Sequence, residues 1–306
     1  MRLVTSGSAY LDIDAYACCI AYAELLNLRG IAARAVSSAP LNSSVPETVA
    51  KWGMQLAGFS SQADDEFVLV DISDQRYFDP IVALDRVVEV IDHHPGFEEY
   101  WVHRLRDAAD IQKVGAAATQ VFLRWETANL LPQMSESSAS LLATAILDNT
   151  LNLAGAVTTE HDLRAFQVLS NHAKLPASWP EQYFLECQSV IESGLTQALI
   201  SDLKRMGPES MLPRVFSQIT AWDPSRLIRV YRAEISECLS AQGDDWVLNI
   251  ISISEGKSYF VAEASVSQRK LSALVQLSWI MDVASLPHSI LRKELMKLGL
   301  NRATYG

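Results

Sequence analysis

Residues Val87–Gly96 read VVEVIDHHPG, a β-branched apolar run that breaks into an acid, two adjacent histidines and a Pro-Gly turn signal. A run that is apolar at nearly every position and closed by turn formers predicts a strand buried on both faces, as in a parallel sheet. Working outward, RLVTSG (2–7), IAARAVSS (31–38) and EFVLVDIS (66–73) are three more short runs of this character. Between the first two lies DAYACCIAYAELLNLRG (14–30), which carries a helical pattern. Strands alternating with helices predict βαβ units. Three of the four runs end in polar chemistry: SGSAYLDID follows the first, DISD the third and DHHP the fourth. In an open parallel sheet, ligands collect at the carboxyl ends of the strands, so these loops are expected to converge although they are far apart in sequence.

The rest of the chain changes character twice. From Gly115 to about Cys187 three apolar-periodic segments, GAAATQVFLRWETANLL, SSASLLATAILDNTLNL and TTEHDLRAFQVLSNHAKL, predict helices. A linker is expected near ESGL (192–195). Beyond MGPESMLP, the runs RVFSQIT, LIRVYRAE, WVLNIISIS and SYFVAE predict strands and turns before a basic end at SILRKELMKLGLNR. The fold class expected is therefore α/β: an N-terminal parallel-sheet domain with a helical segment over residues 1–190, and a smaller α+β domain over 195–306.

Composition narrows the function. The 306 residues are 49% hydrophobic and 20% charged, which is ordinary globular material long enough for two domains. A net charge of −11 leaves no surplus of Lys and Arg to neutralise phosphates along a duplex, so a nucleic-acid coat is not expected. A small anionic substrate fits if positive charge is gathered locally or supplied by metal ions. Cys18, Cys19, Cys187 and Cys238 show no C-x-x-C spacing and read as reduced core thiols. No apolar run reaches the length of a membrane span, and the first ten residues hold no long apolar segment, so a cytoplasmic protein is expected.

The candidate chemistry lies in acids and imidazoles at the strand ends. Asp12 and Asp14 form a D-x-D that puts both carboxylates on one side if the backbone stays extended. Asp71 stands where EFVLV emerges, and Asp92-His93-His94 follows the next run. Carboxylates with imidazole suit Mn²⁺ or Mg²⁺, and two close ions form a clamp for phosphoryl chemistry.

These residues resemble the DHH phosphoesterases, named for the motif carried here as Asp92-His93-His94. The order of motifs is similar too: D-x-D, a lone strand-end Asp, DHH, then the Gly115–Thr119 helix start, ILDNTLNL and TTEHD. In the second domain, SDLKRM and ILRKE look like the substrate-binding signatures of family II pyrophosphatases, short-chain exopolyphosphatases and prune proteins. A Gly-Gly-Gly-His motif, carried by the other large branch, does not occur. The resemblance implies that Asp12 ligates one metal, Asp14 the other, that Asp71 bridges both and that His93 joins the second. It further implies that His94 contacts the substrate phosphate, that Asp92 orients the histidines, and that Lys204, Arg292 and Lys293 hold terminal phosphoryl groups in a cleft between the domains.

Two positions depart from the pyrophosphatase pattern. Ser8 stands where those enzymes carry a metal-binding His, and Asn149 where they carry an Asp, with Asp148 one residue earlier. An offset of one residue turns a helical side chain by about 100°, so Asp148 takes over that place only if the helix ends locally. Such losses weaken Mn²⁺ and let Mg²⁺ compete better. What the resemblance implies is metal-dependent hydrolysis of phosphoanhydride bonds by a metal-bridged hydroxide, most like a short-chain exopolyphosphatase. An inorganic pyrophosphatase, a nucleotide phosphodiesterase, or a non-catalytic member that binds a phosphorylated ligand or a protein are the alternatives. The substrate would be polyphosphate, pyrophosphate or a nucleotide, and the chain is compatible with a homodimer.

Overall fold

The computed structural model describes residues 1–57, 59–201 and 203–303. The chain divides into two compact units, Met1–Pro180 and Glu181–Gly306. The first contains β1 (Arg2–Thr5), α1 (Ile13–Leu28), β2 (Ala33–Ala35), α2 (Glu47–Ala50), β3 (Glu66–Val70), β4 (Val87–Asp92), α3 (Glu98–Leu105), β5 (Ala109–Ile111), α4 (Ala117–Thr127), α5 (Glu136–Asn149), α6 (Glu160–His172) and the start of α7 (Trp179–Ser193). Its five strands are ordered β2-β1-β3-β4-β5 and all pair in parallel, as the βαβ pattern predicted. Only β5 has no counterpart among the predicted runs, because Ala109–Ile111 is short and lacks a buried position.

Burial on both sheet faces follows from the sequence of the strands. Phe67, Val68, Leu69 and Val70 of β3 are fully buried, as are Val90 and Ile91 of β4. On one face Leu3, Phe67, Leu69, Val87, Val90 and Trp101 form a continuous core. Each such side chain removed from water contributes roughly 1.5–3 kcal/mol. Helix α1 is apolar on nearly every side, and it packs on β1, β2, α4 and α5 at once. One of its buried polar ties is Tyr22, whose hydroxyl donates to Glu89 of β4 at 2.8 Å, where Arg124 of α4 also donates at 2.6 Å.

One irregularity sets the level of the strand ends. Phe67 pairs with Val87 but Val68 pairs with Glu89, so Val88 is an extra residue in β4. Past this bulge Val70 lies beside Ile91, which brings Asp71 level with Asp92.

The second unit holds the rest of α7, α8 (Leu195–Ser201), β6 (Lys204–Arg205), β7 (Val215–Ala221), α9 (Ser225–Arg229), α10 (Arg232–Ser240), β8 (Trp246–Ser252), β9 (Lys257–Val261), α11 (Ser265–Leu274), β10 (Val283–Leu286) and α12 (Arg292–Ala303). Its sheet is mixed, ordered β10-β9-β8-β7-β6, with β7 and β8 parallel and the other neighbours antiparallel. Separate buried clusters include Val215, Ile219, Leu248 and Ile250 in one case and Phe216, Val247, Phe260 and Leu295 in the other, as alternation along the strands requires.

Two expectations are corrected. ESGL is not an extended linker: α7 runs through Ser193 and α8 starts at Leu195, so only Gly194 separates two helices. LIRVYRAE is not a strand but parts of α9 and α10, with Leu227 fully buried in the first helix and Ile235 and Leu239, one turn apart, fully buried in the second. Among the described residues no helix is long and apolar enough to cross a membrane.

Candidate metal centre

The D-x-D pair is not extended. Asp12 is the N-cap of α1, accepting from the amide of Ala15 at 3.0 Å, and Asp14 lies in the first turn. Helix geometry therefore sends the two carboxylates in different directions. Asp14 is fully buried and reaches the start of α4, accepting the amide of Ala117 on Oδ2 and that of Ala118 on Oδ1, both at 2.8 Å. Burial and the neighbouring Asp12 charge push its carboxyl up to about 7, against the pull of those two amides. Burial also raises Asp12, while the Ala15 amide and the nearby His94 oppose it.

The same helix start is held from a second side. Asp162 of α6, fully buried, accepts from the amide of Gly115 at 2.9 Å and the hydroxyl of Thr119 at 2.5 Å, and closes a capping box with Thr159. Gly115 is required here, since a Cβ would stand 2.6 Å from Thr150 and 2.8 Å from the Asp162 carboxylate. Asp162 had no role assigned from sequence, although Thr159-x-x-Asp162 is a readable capping signal.

Asp71 leaves β3 with φ of 56°, a left-handed conformation that Asp tolerates better than most residues. Its amide donates to the Ile91 carbonyl at 2.8 Å, which locks the two strand ends together. Beyond β4, Asp92 is fully buried and its Oδ1 accepts from the amides of His93 (2.8 Å) and His94 (3.1 Å) and from His94 Nδ1 (2.8 Å). Burial alone would raise Asp92; the His94 hydrogen bond and charge outweigh it and hold the carboxyl below its usual value. His93 turns the other way, with Nδ1 at 3.2 Å from the Val114 carbonyl and Nε2 at 3.4 Å from Asp71 Oδ1. A carbonyl accepts only, so Nδ1 carries a proton and Nε2 is the nitrogen presented to Asp71.

Asp71, His93 and His94 thus bring three ligand atoms within 4.8 Å of one another. The residues fit a divalent ion: two ligands of one ion, each about 2.1 Å away, stand roughly 3.0–3.4 Å apart at ordinary angles, and Asp71 and His93 meet that span at 3.4 Å. An outer carbonyl fixing a histidine tautomer is the usual companion of such a site. Thiol chemistry is closed off: Cys18 and Cys19 are buried, and burial together with Asp71 and other nearby carboxylates raises both.

The other predicted residues make the following contacts. Ser8 donates its hydroxyl to the Tyr77 carbonyl at 3.3 Å. Helix α5 does end locally, at Asn149, and Leu151, Asn152 and Leu153 follow with φ of 50°, 59° and 64°. Asp148 is half-buried on that last turn, and the Asn149 amide donates back to the Ala145 carbonyl at 3.4 Å. In the second unit, Lys204 is exposed on β6, in register with Phe216 of β7. Arg292 is buried, with Nη1 donating to the Phe216 carbonyl at 3.4 Å, while Lys293 beside it is exposed. Lys204 and Arg292 therefore both meet β7 at Phe216.

No family model and no curated protein sequence matches the chain. Among solved structures, one described as a family II inorganic pyrophosphatase of Methanococcus jannaschii is similar over 100% of both chains, at 18% identity and a TM-score of 0.67. An exopolyphosphatase-related protein from Bacteroides fragilis is similar over 99% of this chain and 91% of its own, at 11% identity and a TM-score of 0.51. At these identities the likeness concerns the fold alone: the chain has the two-domain α/β fold of these two proteins.

Proposed function

We propose that the chain hydrolyses phosphoanhydride bonds of a small anionic substrate, a short polyphosphate in the first instance, with Mn²⁺ or Mg²⁺ bound at the strand ends of the first unit. The observation that carries the proposal is the Asp71/His93/His94 cluster, in which an imidazole of fixed tautomer faces a carboxylate across the span of one metal ion. The full-length likeness of fold to a pyrophosphatase and an exopolyphosphatase-related protein supports the same chemistry. When bound, a divalent ion lowers the pKa of water and offsets phosphate charge.

The chain's own groups do the rest. Asp71 and His93, with Asp12 and Asp14 beside them, hold the ion. Asp92 keeps His94 oriented through Nδ1, so that the exposed Nε2 edge of His94 meets a phosphate oxygen. Lys204, Arg292 and Lys293 carry the charge of the remaining phosphates, which is most of what phosphoryl transfer asks of a protein. The first unit is thus the catalytic one and the second binds substrate. Phosphate release from pyrophosphate, tripolyphosphate, longer polyphosphate and cyclic nucleotides, with Mn²⁺ and with Mg²⁺, tests the proposal. Fastest turnover on tripolyphosphate is expected. Absence of release from every anhydride would overturn it in favour of a protein that binds phosphate ligands without turnover.

A further inference from the structure

We infer that Asp162 is a positioning residue of this centre: its carboxylate fixes, through the peptide group between Val114 and Gly115, which nitrogen His93 offers to a metal ion. The inference rests on the reading of Asp71, His93 and His94 as a divalent-metal centre.

Two hydrogen bonds end on opposite sides of one amide. The Val114 carbonyl stands 3.2 Å from His93 Nδ1, and across the same peptide bond the Gly115 N–H donates to Asp162 Oδ2 at 2.9 Å. A peptide group is planar, so a hold on its N–H aims its C=O. Rotation of this plane depends in part on Gly115, the residue type whose backbone turns most freely, and the aim therefore needs an anchor. Asp162 supplies one. Its side chain is fully buried, with Oδ1 taking the Thr119 hydroxyl at 2.5 Å and Oδ2 also taking the amide and the hydroxyl of Thr159, both at 2.7 Å. The carboxylate lies directly against the backbone that it holds, since a Cβ at position 115 would stand 2.8 Å from it.

The hold matters because a neutral imidazole has one proton and His93 has an acceptor at each nitrogen. One is the Val114 carbonyl at Nδ1; the other is Asp71 Oδ1, 3.4 Å from Nε2. A proton on Nε2 would satisfy Asp71 and block the nitrogen that faces it, whereas a proton on Nδ1 leaves the Nε2 lone pair open. A carboxylate on the N–H side of an amide polarises it, and hydrogen bonds in a chain reinforce one another, so the Val114 oxygen becomes the better acceptor. Asp162 thereby places the proton on Nδ1 before any ion arrives. A histidine whose tautomer and ring orientation are set in advance holds its ion more tightly.

The variant that tests this is Asp162→Asn in the full-length chain, an isosteric change that keeps an oxygen for the Gly115 amide and removes the charge. Two quantities are read: Mn²⁺ affinity by calorimetric titration, and the nitrogen NMR spectrum of the His93 ring in the metal-free chain, at a pH where the ring is neutral, which reports the nitrogen that carries the proton. The wild type should show the Nδ1–H form. Asp162→Asn should show a mixture with the Nε2–H form, and its Mn²⁺ affinity should fall about tenfold, the lower end of the range for groups around a metal. Thr159→Ala is the control, because it takes a hydroxyl from the same carboxylate and breaks the capping box while leaving the bond to Gly115 in place. That variant should lose melting temperature with its tautomer and Mn²⁺ affinity unchanged. A wild-type tautomer or a wild-type affinity in Asp162→Asn would overturn the inference and leave the metal centre standing, as would an equal loss of affinity in Thr159→Ala. No Mn²⁺ bound by the wild-type chain would overturn the centre and the inference together.

Discussion

The two sheets of this molecule handle polar side chains in opposite ways. In the first unit all five strands run in one direction, so every strand end of one kind falls on the same edge, and Asp71 and Asp92 with its two histidines arrive there together. In the second unit all neighbouring strands but β7 and β8 run antiparallel, and Lys204 lies on the edge strand β6 while Arg292 and Lys293 open helix α12, with the backbone of Lys204 and the guanidinium of Arg292 both meeting Phe216 of β7. A parallel sheet buried on both faces leaves its ends as the outlet for polar chemistry, whereas a mixed sheet has no such common end. The first arrangement suits a cation held by several chain segments; under the proposed function, Lys204, Arg292 and Lys293 of the second unit would meet the phosphates.

The largest effect expected is that of Asp71→Asn, chosen because Asn tolerates the positive φ at this position. Replacing a direct ligand should cost more than the ten- to hundredfold typical of groups around a metal, so Mn²⁺ affinity should fall by over ~100-fold and phosphate release should vanish. Retained binding, measured by calorimetric titration, would break the assignment of the first sheet as the cation side.

Smaller and more selective is the double change Lys204→Ala with Lys293→Ala, both residues being exposed. Loss of charge-assisted contacts to phosphate should lower kcat/KM for tripolyphosphate by about tenfold or more, with Mn²⁺ affinity and the melting temperature unchanged. A parallel fall in metal affinity would erase the distinction between the two sheets. Arg292→Ala is expected to differ, since its guanidinium also holds the Phe216 carbonyl, and to lower the melting temperature as well.

A third test uses pH. Burial and the Asp12 charge hold the Asp14 carboxyl up to about 7, above its value in the unfolded chain. The folded state therefore binds this proton more tightly, and the stability so contributed is complete below the ordinary carboxylate value and is lost as pH rises through about 7. The melting temperature of the metal-free wild type relative to Asp14→Asn should fall steadily between pH ~4 and pH ~8. A flat difference would mean that Asp14 is not proton-linked in the fold.

The smallest effect belongs to Ser8→Ala. Its hydroxyl serves one carbonyl that the Ser8 amide also reaches at 2.9 Å, so activity should stay near wild type and the melting temperature within roughly 1–2 °C. A marked loss of Mn²⁺ binding would show that Ser8 belongs to the centre.

Much of the fold was readable because its signals are local. Four of the five strands of the first sheet announce themselves as apolar runs, and β7, β8 and β9 do the same in the second. LIRVYRAE misled because a short run holding Leu, Ile, Val and Tyr imitates a strand, while the i, i+4 pair Ile235 and Leu239 that marks α10 lies beyond it. Lys204–Arg205 and Val283–Leu286 are edge strands, too short or too exposed to leave a pattern. Of the candidate centre, the identity of Asp71 and His93 was readable from strand-end position. The roles of Val114 and Asp162 were not, since a backbone carbonyl and a residue 47 positions from its partner leave no mark on local sequence.

What the sequence by itself determined is the set of buried runs and the acids and imidazoles that end them, because burial of apolar side chains and the polarity of strand ends are properties of each segment alone. Which of those ends meet was decided only by the tertiary structure. The extra residue Val88 in β4 shifts the register past Phe67 so that Asp71 stands beside Asp92 and not beside Ile91; a slip of one residue reverses the face of every side chain beyond it. The direction of Asp14 was decided in the same way, by helix α1 starting at Ile13 and by the two amides of α4 that its carboxylate reaches across 103 and 104 residues. Such contacts depend on packing between elements that no single stretch of chain encodes.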